Sequence, residues 1–69
     1  MMVNSYEVKM SLEEARLLRK KRQKDMAEIL SVSIGTYRKL ERNSELLTIG
    51  QLKKITKFLN LPYYAFNFF

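Results

Sequence analysis

The side chains able to do chemistry in this sequence are cations and one amide. Arg38 and Lys39 stand side by side, Arg42 follows one helical turn later, and Gln23 sits inside the run RLLRKKRQK. That run places six cations between Arg16 and Lys24 with no acid among them. Lys and Arg are donors without acceptor capacity, and the planar Arg fork matches phosphate and the acceptor edge of guanine. The net charge of +6 and the pI near 9.8 extend the same preference to the whole chain. Such a field attracts polyanions, either nucleic acid or an anionic membrane surface.

Bond-making chemistry has little to work with. His and Cys are absent, which removes the commonest general base, the thiolate nucleophile and thiolate–zinc sites. No glycine-rich phosphate loop and no cluster of metal ligands occurs. Glu13-Glu14 is accounted for by helix capping rather than by an acid/base pair. No enzymatic activity, metal, cofactor or small-molecule ligand is therefore expected. The absence of Cys suits a reducing cytoplasm. The first ten residues lack a signal-peptide apolar region, and no apolar run approaches the ~20 residues of a membrane span. A cytoplasmic protein is expected.

These cations need elements to position them, and 69 residues supply one small domain. Residues 1–10 read as an N-terminal arm, in which Tyr6, Val8 and Met10 alternate with Glu7 and Lys9. Residues 11–69 read as the domain. Ser-Leu-Glu-Glu at Ser11 is a capping box, and Leu12, Ala15 and Leu18 follow at helical spacing, so a first helix is expected from Leu12 to Lys20. A second runs from Gln23 to Leu30 with Met26, Ala27 and Leu30 on one face. A third runs from Ile34 to Arg42, capped by Ser33 and closed by a left-handed Asn43. Thr48 caps a fourth, Ile49 to Asn60, with Ile49, Leu52, Ile55 and Leu59 as its buried stripe. Pro62 opens a short fifth, Pro62 to Asn67. The fold class expected is all-α, with five short helices.

Between the second and third helices lie only Ser31, Val32 and Ser33. Helices joined so closely must cross steeply around a small junction. Ala27 supplies the small residue, Val32 plugs the angle, and Ser33 redirects the chain by capping the next helix. This is a helix-turn-helix. Gln23, Ala27, Ser31, Tyr37 and Leu40 fall at the spacing of its signature, and SLEEARLLRKKRQKDMAEILSVSIGTYRKLERN resembles the Cro and phage-repressor type of DNA-binding domain. The resemblance covers Ser11 to Phe66 and is densest from Gln23 to Glu41. It implies a compact lambda-repressor-like fold and double-stranded DNA as partner. It departs from the family at Ser31, where glycine is usual, at Lys20-Lys21-Arg22, and at Asn43-Ser44-Glu45.

At about 100° per residue, Tyr37, Leu40 and Glu41 share one side of the third helix. Gly35, Arg38, Lys39 and Arg42 share the other, with Ile34 at the boundary. An α-helix fits the major groove, and its leading residues reach base edges. Arg38 and Lys39 are placed to read guanine, Ile34 a thymine methyl, and Gly35 allows close backbone approach. The resemblance implies the same four base-contacting positions. Phosphate contacts are expected from Lys20, Lys21, Arg22, Gln23, Lys24, Thr36 and Arg42. The resemblance also implies an ion pair of Arg16 with Glu41 that orients the third helix on the first.

The tail LPYYAFNFF holds five aromatics in nine residues, more than so small a core can cover. Leu61, Tyr64, Phe66, Phe68 and Phe69 are expected to contribute to a homodimer reading a palindromic operator. The expectation is a transcriptional regulator, a Cro-like repressor of a phage or mobile element. A DNA-binding antitoxin holding a partner protein and a basic membrane-surface protein are the alternatives.

Overall fold

The computed structural model describes residues 9–66. Among these residues are four α-helices: α1 (Leu12–Leu18), α2 (Gln23–Leu30), α3 (Ile34–Arg42) and α4 (Ile49–Leu59). Two 3-10 turns, Ser44–Leu46 and Tyr63–Ala65, complete the regular structure apart from one isolated bridge. No described helix is long and apolar enough to cross a membrane.

Side-chain caps set the helix starts. Ser11 Oγ accepts from the Glu14 amide at 3.1 Å, and Glu14 Oε1 accepts from the Ser11 amide at 2.8 Å. Thr48 and Gln51 reciprocate in the same way at 3.0 Å each. Ser33 Oγ accepts from the Thr36 amide at 3.1 Å. Each cap satisfies backbone donors that the first turn leaves without a carbonyl partner.

Three helices end in one motif, and none ends with glycine. Lys20, Ser31 and Asn60 have φ of 57°, 57° and 54°. After α1, the Lys20 amide donates to the Leu17 carbonyl and the Lys21 amide to that of Arg16, both at 3.0 Å. After α2, Ser31 donates to Glu28 and Val32 to Ala27; after α4, Asn60 donates to Lys57 and Leu61 to Thr56. These are Schellman closures, which need one left-handed residue. Ser31 thus takes the conformation that glycine normally holds at this turn.

The core joins all four helices: Leu12 and Ala15 from α1, Met26, Ala27 and Leu30 from α2, Tyr37 and Leu40 from α3, Ile55 and Leu59 from α4, with Phe66 beneath. Ala15 and Ala27 are buried and small, which lets the backbones approach. Val32 packs against the edge of this cluster at the turn.

Several expectations are corrected. The fifth helix is absent: Pro62 is extended (ψ 152°), only Tyr63–Ala65 makes a 3-10 turn, and Phe66 is extended again. Phe66 is drawn inward to 4% exposure and forms a parallel bridge with Met10, whose amide donates to the Ala65 carbonyl at 2.8 Å. Burial of that ring outweighs continuation of the helix. Helix α1 stops at Leu18 because Lys20 must turn left-handed. Asn43 is not left-handed (φ −135°); the chain continues into Ser44–Leu46 instead. Ile49 is 75% exposed, since α4 enters the core further along the helix, at Ile55 and Leu59. The rest of the expected arm, residues 1–8, lies outside the described residues, as do Phe68 and Phe69.

A non-glycine residue in the left-handed region costs about 1 kcal/mol. Ser31→Gly is expected to stabilise the domain by up to about 1 kcal/mol, raising Tm by about 4–8 °C for a chain of this length. A thermal melt followed by circular dichroism checks this; an unchanged or lower Tm contradicts the strain at Ser31.

Candidate nucleic-acid interface

Helix α3 is two-faced because its sequence is. Tyr37 and Leu40 are buried, at 0% and 6% exposure, and fasten the helix to the core. Ile34, Gly35, Thr36, Arg38, Lys39 and Arg42 are all exposed. The only acid on the helix, Glu41, is turned away from that face. Its carboxylate lies between three donors: Arg16 Nε at 2.6 Å, the Tyr37 hydroxyl at 2.6 Å and Gln23 Nε2 at 3.1 Å. The outward surface of α3 is therefore cationic with no carboxylate of its own helix to neutralise it.

Burial alone would push the Glu41 carboxyl up. The hydrogen bonds from Arg16, Tyr37 and Gln23 together outweigh it and hold the pKa below the ordinary carboxylate value. For Tyr37, burial and then its bond to Glu41 act in the same direction, so the phenol stays protonated and donating. Arg16 is 7% exposed, and its Nη1 also donates to the Lys21 carbonyl at 3.0 Å. One guanidinium thus ties α1 to α3 and to the loop that leads into α2.

Gln23 links this buried cluster to the surface. Its Nε2 is committed to Glu41, so Oε1 is the acceptor, and Arg38 Nε donates to it at 3.0 Å. Arg38 is held along one edge, which leaves both Nη groups at its outer end. That end carries paired donors suited to guanine O6 and N7. Ser33 Oγ donates to Thr36 Oγ1 at 3.0 Å, so the Thr36 hydroxyl keeps its own proton for an outside acceptor.

The basic run is dispersed rather than displayed as one patch. Lys20 and Lys24 are exposed. Arg22, though its side chain is 72% exposed, is engaged by Asp25, with Nη2 to Oδ1 at 2.9 Å and Nε to Oδ2 at 3.2 Å. These bonds lower the Asp25 pKa, and Asp25 Oδ2 also accepts from the Arg22 amide. Lys21 Nζ lies 5.0 Å from the centroid of Phe58, a cation–π contact. Arg19 caps the far end of α4, donating to the Leu59 and Asn60 carbonyls at 2.7 and 3.2 Å. Sequence reasoning missed the roles of Arg19 and Asp25. The Arg22-x-x-Asp25 spacing at a helix start was the available signal for the latter; nothing local marks Arg19.

The profile of the helix-turn-helix family matches residues 12–66. The chain belongs to that family. Its type is that of the Cro and lambda-repressor DNA-binding domains, so the helix-turn-helix found here is that of a DNA-binding transcription regulator. No curated protein and no solved structure matches the chain.

For this helix-turn-helix domain, two outcomes follow from the Glu41 cluster. Arg16→Met is expected to cost about 3–5 kcal/mol in urea unfolding, because it strands a carboxylate in a poorly solvated site; a loss below about 1 kcal/mol, the range of an exposed pair, would reject that geometry. Glu41 has a depressed folded pKa, so its ionisation stabilises the fold above the unfolded value of about 4.3 and ceases to do so as pH falls through the folded value. The stability difference between the parent and Glu41→Gln is thus expected to be largest near neutrality and to shrink below about pH 4.3. A constant difference from pH 7 to pH 2.5 contradicts it.

Proposed function

We propose that this chain is a sequence-specific, Cro-like repressor of a phage or mobile element that binds a palindromic operator as a dimer. The observation that carries the reading is the exposed face of α3. It combines cations, one aliphatic side chain and a glycine, while the only acid of the helix is consumed inside. Helix α3 enters the major groove. Arg38 reads guanine with its outer Nη pair, Lys39 reads or supports the neighbouring step, Ile34 meets a thymine methyl, and Gly35 lets the backbone come close. A Cβ at Gly35 would have only Ser33 Oγ nearby, at 4.0 Å, so the glycine is not required by packing within the domain.

Phosphates on either side are held by Lys20, Lys24, Thr36 and Arg42, and by the first-turn amides of α2 at Gln23. Arg22 and Lys21 join only by giving up part of their contacts to Asp25 and Phe58. A bound operator that overlaps a promoter would exclude polymerase.

Dimerisation is supported by the exposed aromatic tail. Tyr63 and Tyr64 are 71% and 57% exposed and stack edge to face at 5.9 Å. Tyr64, with half-buried Leu61, supplies the apolar contact. Phe66 is withdrawn from that role because it lies in the chain's own core.

Selection from random duplex DNA by the parent, by Arg38→Ala and by Lys39→Ala tests the reading. Arg38→Ala is expected to lose preference for one guanine in each half-site, at about 1–3 kcal/mol, with its melting temperature retained. Selection of the same motif by each variant with unchanged affinity removes α3 as the reading element.

A further inference from the structure

Beyond the DNA-binding face, α4 carries a second surface. Its inner side, Ile55 and Leu59, is buried against the core. Its outer side, together with the turn after it, borders a groove of about 560 Å³. Its apolar lining comes from Ile49, Leu52, Leu61, Pro62 and Tyr63, with Thr56 and Asn60 among them. Ile49 and Tyr63 are 75% and 71% exposed and line the same groove, so uncovered apolar surface is gathered here rather than scattered. Lys53 and Lys57 line the same groove, and both are exposed. The last carboxylate side chain of the sequence is Glu45, so neither α4 nor the segment after it provides an acid to balance them.

We propose that this groove docks an acidic amphipathic helix of another protein, with Leu or Phe anchors on the apolar floor and Glu or Asp against Lys53 and Lys57. Charge selects the occupant. A second copy placed symmetrically over the groove would set Lys53 and Lys57 of each copy against those of the other. The groove runs beside an eleven-residue helix, about 16 Å long, which is room for roughly three turns of a partner helix. Its walls are too exposed to enclose a small molecule, whereas a helix covers such a strip with anchors at three- and four-residue spacing. Leu61 belongs both to this groove and to the proposed dimer contact, so partner docking and self-association compete for it.

The probe is a fluorescein-labelled fourteen-residue peptide with Leu and Phe on one helical face and Glu on its flanks, titrated into the whole chain. A second peptide carries Lys in place of every Glu. Saturable binding of the acidic peptide is expected, with amide shifts concentrated at Ile49, Leu52, Lys53, Lys57 and Tyr63. The Lys peptide is expected to bind at least about tenfold more weakly, and Lys53→Gln/Lys57→Gln, with unchanged melting, to weaken the acidic peptide about fivefold or more. Equal binding of the two peptides, absence of saturation, or shifts confined to Lys20, Lys24, Lys39 and Arg42 overturns the proposal. So does co-sedimentation with phosphatidylserine vesicles in the absence of peptide binding. Operator affinity measured on the same double variant keeps the two readings apart, since neither lysine is among the residues proposed to contact DNA.

Discussion

The Glu41 carboxylate accepts hydrogen bonds from all three helices that build the DNA-binding unit. Arg16 comes from α1, Gln23 from the start of α2, and Tyr37 from the preceding turn of α3 itself. A carboxylate so little exposed would ordinarily be expelled or protonated. Here three donors replace its water, and no buried side-chain polar atom among the described residues is left without a partner. Apolar packing fixes which side of α3 is inside, but it tolerates sliding and rotation by a fraction of a turn. Hydrogen bonds of 2.6 to 3.1 Å from three directions do not. The register of α3 against α1 and α2 is therefore set by polar geometry laid over a core of ten side chains.

The same cluster determines what reaches the surface. Because Glu41 holds Gln23 Nε2, the amide of Gln23 has a defined orientation and offers its oxygen outward. Because that oxygen holds Arg38 Nε, the most capable reading side chain is partly ordered before DNA arrives. An exposed arginine otherwise surrenders up to about 2 kcal/mol of rotamer entropy when it is immobilised. The chain from Arg16 through Glu41 and Gln23 to Arg38 links core stability to preorganisation at the base-reading position.

Much of this was legible in the residues. The bounds of α2 and α3 follow from Gln23, Ser31, Ser33 and Arg42, because caps and turn residues act through near neighbours in sequence. The division of α3 into faces follows from helical periodicity. What was not legible depends on distant partners. Pro62 is compatible with a helix start, yet the ring of Phe66 is worth more in the core, and only the assembled fold offers that site. Asn43 and Asn60 are equally suited to a left-handed closure; Asn60 adopts it and Asn43 does not, since the chain after α3 must enter another turn at once. Ile49 continues the stripe of α4 but stays exposed, since the core takes in Ile55 and Leu59 further along.

The basic run illustrates the limit most clearly. Read linearly, six cations from Arg16 to Lys24 make a single electrostatic feature. In the fold they separate by function. Arg16 is an internal strut, Arg19 closes α4 by bonding its last carbonyls, Lys21 covers the face of Phe58, and Arg22 is engaged by Asp25. The side chains of Lys20 and Lys24 remain exposed without an ion pair or hydrogen bond among the described residues. Long cationic side chains are economical structural pieces in a chain too short for a large core, because their stems cover apolar surface while their heads satisfy carbonyls and carboxylates. The attraction for a polyanion survives this dispersal, since the net charge is unchanged at long range. What changes is the contact map. Close-range recognition passes from the densest stretch of charge in the sequence to the outer face of α3, where fewer cations stand on a helix whose orientation the buried carboxylate defines.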